Sequence, residues 1–222
     1  VIEHTLHVQG GNVIVPAFAV GRTQEILYHL HQLTREGRLR GLKIFVDSPM
    51  ATEATRITIQ HLELFDEAAT QLADWRIAGK GLPYLHFTAS VEESMALNRM
   101  RSGAIIISAS GMCDAGRIKH HLRHNLDRPE CSILITGFQA QGTLGRRLVD
   151  GAKRVRIFGE EIDVRASIHT VGGLSAHADQ PALLAWTANF RHPPQQTFVV
   201  HGETSSALAF AEKLHAERGW NV

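Results

Sequence analysis

Apolar runs and amphipathic stretches alternate along most of this chain. "NVIVPAF", residues 12–18, is a continuous apolar run of strand type, and the following "GRTQEILYHLHQLTREGRL" repeats Ile26, Leu27, Leu30 and Leu33 at helical spacing. The unit then recurs. "LKIFVDSP" predicts a strand, and "MATEATRITIQHLELF" predicts a helix that starts after Pro49, a residue that ends the extended segment. Beyond a weakly patterned helical stretch at "DEAATQLADW" come strand "PYLHFTA", helix "VEESMALNRM", strand "GAIIISAS", helix "CDAGRIKHHLRHNL", strand "CSILITGF" and helix "TLGRRLVDG". Such alternation predicts an α/β layer architecture, a parallel sheet with flanking helices joined by right-handed crossovers.

The rhythm changes in "KRVRIFGEEIDVRASIHTVGG", which alternates apolar and polar positions around Gly159 and Glu160 and holds no helix-length segment. It predicts a β-hairpin and, with it, a boundary near residue 170. Residues 1–170 are expected to form one domain and residues 171–222 a second, made of helix "QPALLAWTANF", strand "QTFVVHG" and helix "SSALAFAEKLHAERG". The opening "VIEHTLHVQGG" reads as the last turns of an amphipathic helix, so the chain is expected to be the C-terminal part of a longer protein.

At 222 residues, 44% hydrophobic and 20% charged, the chain has the composition of an ordinary folded protein rather than a disordered one. No apolar run approaches the length that spans a bilayer, and the N-terminus has neither the basic region nor the apolar core of a signal peptide, so a cytoplasmic protein without membrane contact is expected. Cys113 and Cys131 form no CxxC pair, which fits a reducing compartment. A formal net charge of +1 announces no polyanion partner, so any such site is local. One local concentration exists in "GRIKHHLRHNLDR", with Arg117, Lys119, His120, His121, Arg123, His124 and Arg128. On charge alone it reads as a solvated helix face.

In open parallel sheets the ligand crevice lies beyond the carboxyl ends of the strands, which directs attention to "PAFAVGR", "DSPMA", "SASGMCDAGR", "GFQAQGTLGRR" and "HGET". Small residues between an apolar strand and a helix start offer backbone N–H groups and hydroxyls to an anion at the positive end of the helix. "SASGMCDAGR" (Ser108, Ser110, Gly111, Arg117) and "GFQAQGTLGRR" (Gln141, Thr143, Arg146) both have this form, and Arg22 adds a cation on the same sheet edge. One glycine turn is weak evidence, because tight turns need glycine for steric reasons; two on one edge suit a chain of phosphates. Asp47 in "DSPMA" is read as structural, a capping or turn residue.

Two histidines stand apart. His201 closes the apolar run "FVVHGE", which would aim its ring into a crevice, where a neutral imidazole suits zinc. His177 in "GGLSAHADQ" precedes a helix, with Asp179 near enough to orient it as a general acid, or else to cap the helix. The ordinary alternative for either is a surface or hydrogen-bonded core histidine.

"VPAFAVGRTQE", "DSPMA", "SASGMCDAGRIKHHL", "GGLSAHAD" and "VVHGE", in this order and with these gaps, resemble the β-CASP branch of the metallo-β-lactamase superfamily, in particular bacterial RNA-processing exonucleases related to the cleavage and polyadenylation endonuclease. The resemblance covers nearly the whole chain. It implies that residues up to about 170 are the β-CASP domain and that the remainder returns into the metallo-β-lactamase αββα fold. It further implies that His177 matches the proton-donating motif B histidine and His201 a terminal zinc ligand. The turns at 108–117 and 137–147, with the basic helix 116–128 that carries Lys119 and His121, are then expected to clamp single-stranded RNA.

The family's HxHxDH signature, its next histidine, its bridging aspartate and its acidic motif A are absent from this sequence. Two-metal hydrolysis needs both ions, so this chain alone is expected to be inactive, and to require an N-terminal metallo-β-lactamase half that supplies the remaining ligands of two zinc ions. The alternative is a non-catalytic β-CASP module that holds RNA or a protein. A plain nucleotide-binding α/β domain is a third reading, but no GxGxxG or Walker pattern supports it. Internal and terminal cutting, RNA and DNA, and a homodimer all stay open on the sequence.

Overall fold

The structure, a computed structural model, describes residues 1–66 and 85–222; the helix expected at "DEAATQLADW" falls almost wholly outside them. Two compact units are present, Val1–Leu174 and Ser175–Val222. In the first, β1 (Val13–Pro16), β2 (Ile44–Val46), β3 (Leu85–Phe87), β4 (Ile105–Ser108), β5 (Ser132–Ile135) and β8 (Ser167–Thr170) form a six-stranded sheet in the order β3-β2-β4-β1-β5-β8, with every pairing parallel. β6 (Arg154–Ile157) and β7 (Glu160–Asp163) form the expected hairpin, turned through Phe158 and Gly159 at φ 52° and 84°. β8 was not foreseen as part of the sheet: it leaves the hairpin region and pairs with β5.

The sheet buries both faces, which is why its strands read as unbroken apolar runs. Ile14, Ile106 and Ile133 pack on one side with Leu97, Ile118, Leu122, Leu144 and Leu148. Val13, Val15, Ile105 and Ile107 alternate onto the other side, against Ile26, Leu27, Leu30 and Ala51. Helices α1 (Arg22–Arg35) and α2 (Pro49–Gln60) thus cover one face, and α3 (Val91–Leu97), α4 (Ile118–Asn125) and α5 (Leu144–Val149) the other.

Local chemistry explains where the helices begin. The Ser48 side chain accepts from Ala51 N in front of Pro49, and Ser90 and Glu93 form a reciprocal capping box. The basic helix is shorter than its periodicity predicts and starts only at Ile118, because Cys113 (φ 66°) and Gly116 (φ 81°) bend the residues ahead of it out of helical conformation. The opening residues form a single π-type helical segment, His4–Gln9, closed by Gly10 at φ 70°.

The second unit holds α6 (Gln180–Thr187) and α7 (Thr204–Arg218). Phe190 makes edge-on contacts with Trp186 of α6 and with Trp220, just past the end of α7, at centroid distances of 5.2 and 5.3 Å. The expected strand "QTFVVHG" is not formed. Thr197 N donates to Asn221 O, but Phe198 and Val200 are both 78% exposed and the segment belongs to no sheet. An extended run becomes a strand only when a neighbouring strand takes its backbone hydrogen bonds in a ladder, and the single bond to Asn221 is no ladder. No helix among the described residues is long and apolar enough to cross a membrane.

Candidate nucleic-acid interface at the strand ends

β4 and β1 are neighbours whose onward connections diverge, β1 running through α1 to β2 and β4 through α4 to β5. The crevice between their carboxyl ends is the switch point at which open parallel sheets take ligands. There Ala17 N donates to Ser108 O at 3.0 Å, and Ile118 N to Ala109 O at 3.2 Å. A Cβ on Gly116 would lie 2.4 Å from Ala109 O, so this turn accepts only glycine at that position.

The turn after β4 and the turn after β5 are one structure. Leu144 N donates to Asp114 Oδ1 (2.8 Å), Gly145 N to Met112 O (3.0 Å), and Gln139 Nε2 to Gly111 O (3.0 Å). Thr143 caps α5 by accepting from Arg146 N. The two glycine turns predicted from sequence as separate cradles are therefore held side by side, with Ser110, Gly111 and Arg117 on one and Gln141, Thr143 and Arg146 on the other.

Beneath them lies a buried polar hub. Asp47 accepts from Arg117 Nη1 (2.7 Å), His121 Nε2 (2.6 Å), Ser94 Oγ (2.6 Å) and Thr88 Oγ1, while Ser108 Oγ donates to its backbone oxygen. Burial opposes ionisation of this carboxyl, but the four donated hydrogen bonds outweigh it and hold its pKa far below the ordinary value. Asp47 is structural, as expected, but the cap of α2 is Ser48.

The hub corrects two of the expected RNA contacts. His121 is fully buried, its other ring nitrogen meeting Asn98 Oδ1 at 2.9 Å, and Ser108 is buried as well. Both position the turn from within and do not face a ligand. Burial of one helical stripe follows from packing α4 on the sheet, which a count of basic residues does not register. Further cations of this basic stretch are already paired: Arg123 of α4 forms a two-pronged surface pair with Glu160, and Arg128, just past the helix, is buried against Asn125 and Glu130. Lys119 lies 5.0 Å over the Phe158 ring. Arg22 pairs with Glu25 and Arg146 with Asp150, so each presents itself with a carboxylate alongside.

In the second unit, Asp179 accepts from Ala182 N at 2.9 Å and so takes the capping role rather than orienting His177. His177 is exposed, with its own N–H and its Nδ1 near Ser175 Oγ. His201 is exposed and adopts φ 69°, a conformation side chains other than glycine rarely take. Among the described residues no three His, Cys, Asp or Glu side chains converge so as to hold a metal ion.

Sequence reasoning missed the Thr88–Ser94–Asp47 hub, whose members are remote in the chain, and Gln139, which ties the two turns. It also passed over Phe18 and Phe138, whose signal was present: a large aromatic directly after each apolar strand in "PAF" and "GF".

Residues 23–148 match the Beta-Casp domain, and residues 161–222 match the Zn-dependent metallo-hydrolase RNA specificity domain. The chain belongs to the β-CASP family, within the metallo-β-lactamase superfamily. It is 39% identical over 226 residues to ribonuclease TTHA0252 of Thermus thermophilus, covering 100% of this chain and 50% of that protein. It is 34% identical to the transcription termination factor FttA of Thermococcus kodakarensis, over 99% of this chain and 34% of the factor. An RNase J-like protein of Methanocaldococcus jannaschii is 33% identical over 91% of this chain and 45% of its own length. The β-CASP chain thus spans half or less of the curated relatives it matches. The zinc named in its second matching family is not a site this chain's described residues make up by themselves.

Proposed function

We propose that this chain is the RNA-holding part of a zinc-dependent ribonuclease of RNA processing or decay. The observation that carries this is the joined pair of glycine turns at the switch point, in a chain whose last residues match an RNA specificity domain. Backbone, hydroxyl and guanidinium groups of Ser110, Gly111, Arg117, Gln141, Thr143 and Arg146 would track a single strand's phosphates. In this reading His177 protonates the leaving oxygen, with the Asp179 cap fixing the bend that carries it, and His201 contributes one imidazole to a zinc site whose other ligands lie outside this chain.

The second unit supports the same reading. Its exposed Phe198 and Val200 are what a strand next to His201 would bury once a neighbour is supplied. A metallo-β-lactamase half is the partner this requires, and residues 171–222 are its returning segment.

The test is to incubate the 222-residue chain with 5′-labelled single-stranded RNA and added zinc or manganese, following retention on native gels and cleavage on denaturing gels. Retention without cleavage is expected. Metal-dependent cleavage abolished by His201→Ala would overturn the claim that the chain alone lacks a working centre, and absence of retention would overturn the RNA-holding role.

A further inference from the structure

We propose that Phe18 and Phe138 are a stacking platform for unpaired bases of the RNA strand, set at the carboxyl edge of the sheet beside the two phosphate-tracking turns. The inference rests on the RNA-holding reading above and goes beyond it by assigning where bases, as opposed to phosphates, are received.

Both rings are exposed where burial would be expected. Phe18 follows β1 and is 47% exposed; Phe138 follows β5 and is 61% exposed. β1 and β5 are adjacent, paired Val13 with Ser132 and Ile14 with Ile133, so the segments just past their ends leave the same edge of the sheet. Each phenyl sits a few residues beyond strands whose side chains are almost wholly buried, and keeping it in water sacrifices apolar burial that the neighbouring isoleucines gain.

The Phe18 ring is also held, and the loop that carries Phe138 is anchored. A Cβ on Gly111 would lie 2.9 and 3.0 Å from Phe18 Cδ2 and Cε2, so the Phe18 ring rests edge-on against the glycine of the turn after β4. Thr23 Oγ1 and Thr23 N both donate to Phe18 O, at 2.9 and 3.2 Å. Gln139, the residue after Phe138, donates to Gly111 O and to Gly137 O, which fixes the second aromatic loop to the same glycine. An aromatic surface fixed in advance is the kind that gains from a base without first losing side-chain freedom.

Charge selects the occupant. Within the first unit, the helices α1 to α5 each follow a strand of this parallel sheet and so begin, with their positive N-terminal ends, at this edge. No carboxylate stands in the first turn of α4 or α5, the nearby Asp47 is engaged by Arg117, and Asp114 by Leu144 N. Aromatic rings set among positive helix ends and glycine turns match a polymer that alternates flat bases with phosphates.

The test uses fluorescence anisotropy with a labelled oligoribonucleotide of about ten nucleotides and a ribose-phosphate strand of equal length that lacks bases. Phe18→Leu and Phe138→Leu remove the ring while keeping an apolar side chain, and Gly111→Ala displaces the Phe18 ring; thermal melts report that each variant is folded. Each Phe→Leu change is expected to weaken binding of the base-bearing strand by about five- to a hundredfold and to leave binding of the baseless strand unchanged. Equal binding of both strands by the parent, with no effect of the substitutions, would overturn the platform while leaving the RNA-holding role intact. Equal weakening on both strands would show the rings serving the backbone or the fold, and would also overturn it. Binding of neither strand by the parent would remove both proposals together.

Discussion

Asp47→Ala is the most informative single change in the first unit, because it removes one carboxylate from four donors drawn from three other segments. Thr88 and Ser94 precede and enter α3, Arg117 closes the turn after β4, and His121 lies in α4. Breaking a buried ion pair by deleting one partner costs about 3–5 kcal/mol, since the remaining groups stay desolvated and unsatisfied. Arg117 retains some exposure and can turn to solvent, whereas His121 cannot, which places the expected loss near the lower end, about 3 kcal/mol. With a urea dependence of about 2 kcal/mol per molar, the unfolding midpoint should fall by about 1.5 M. The pH dependence has a definite sign. A carboxyl whose folded pKa is depressed contributes its full stability above its unfolded value, about 3.9, and loses it as pH falls toward the folded value. The gap between the parent and Asp47→Asn should therefore be constant from pH 7 to about pH 5 and shrink below about pH 4. A midpoint shift under about 0.5 M for Asp47→Ala, or a gap that widens in acid, would refute the view that this hub holds the switch-point turns.

Three other outcomes are expected. Gly11→Ala would set a Cβ 1.9 Å from Glu130 O and 2.4 Å from its carbonyl carbon, a backbone clash that calorimetry should register as a fall in Tm of about 5 °C or more. Burial, reinforced by Asp114, pushes the Cys113 thiol up to about 12, so at pH 8 iodoacetamide should modify it far more slowly than the same residue in the urea-unfolded chain. If Arg117, Lys119 and Arg146 each meet a phosphate, RNA affinity should drop about twentyfold between 50 and 200 mM salt, and a binding curve insensitive to salt would argue against all three contacts.

The alternation of apolar runs and amphipathic helices was enough to read an α/β domain with a parallel sheet, since period and run length are local properties that burial on two sheet faces imposes directly. The glycine turns after β4 and β5 and the hairpin around Gly159 were legible for the same reason: each is a short pattern in consecutive residues. Side-chain direction was not. Nothing in "GRIKHHLRHNLDR" tells that His121 faces inward to Asp47 while its neighbours face out, because that depends on which stripe of α4 the sheet covers. Strand order was equally hidden, and with it the adjacency of β1, β4 and β5 that brings Phe18, Gly111 and Gln139 together. The failed strand at residues 196–202 makes the same point in reverse: its apolar pattern is genuine, but a ladder needs a second strand. Pattern and propensity act between near neighbours and can be read along the chain. Sheet order, the Asp47 hub and the joined turns arise from contacts between residues tens of positions apart, and only the folded structure decides them.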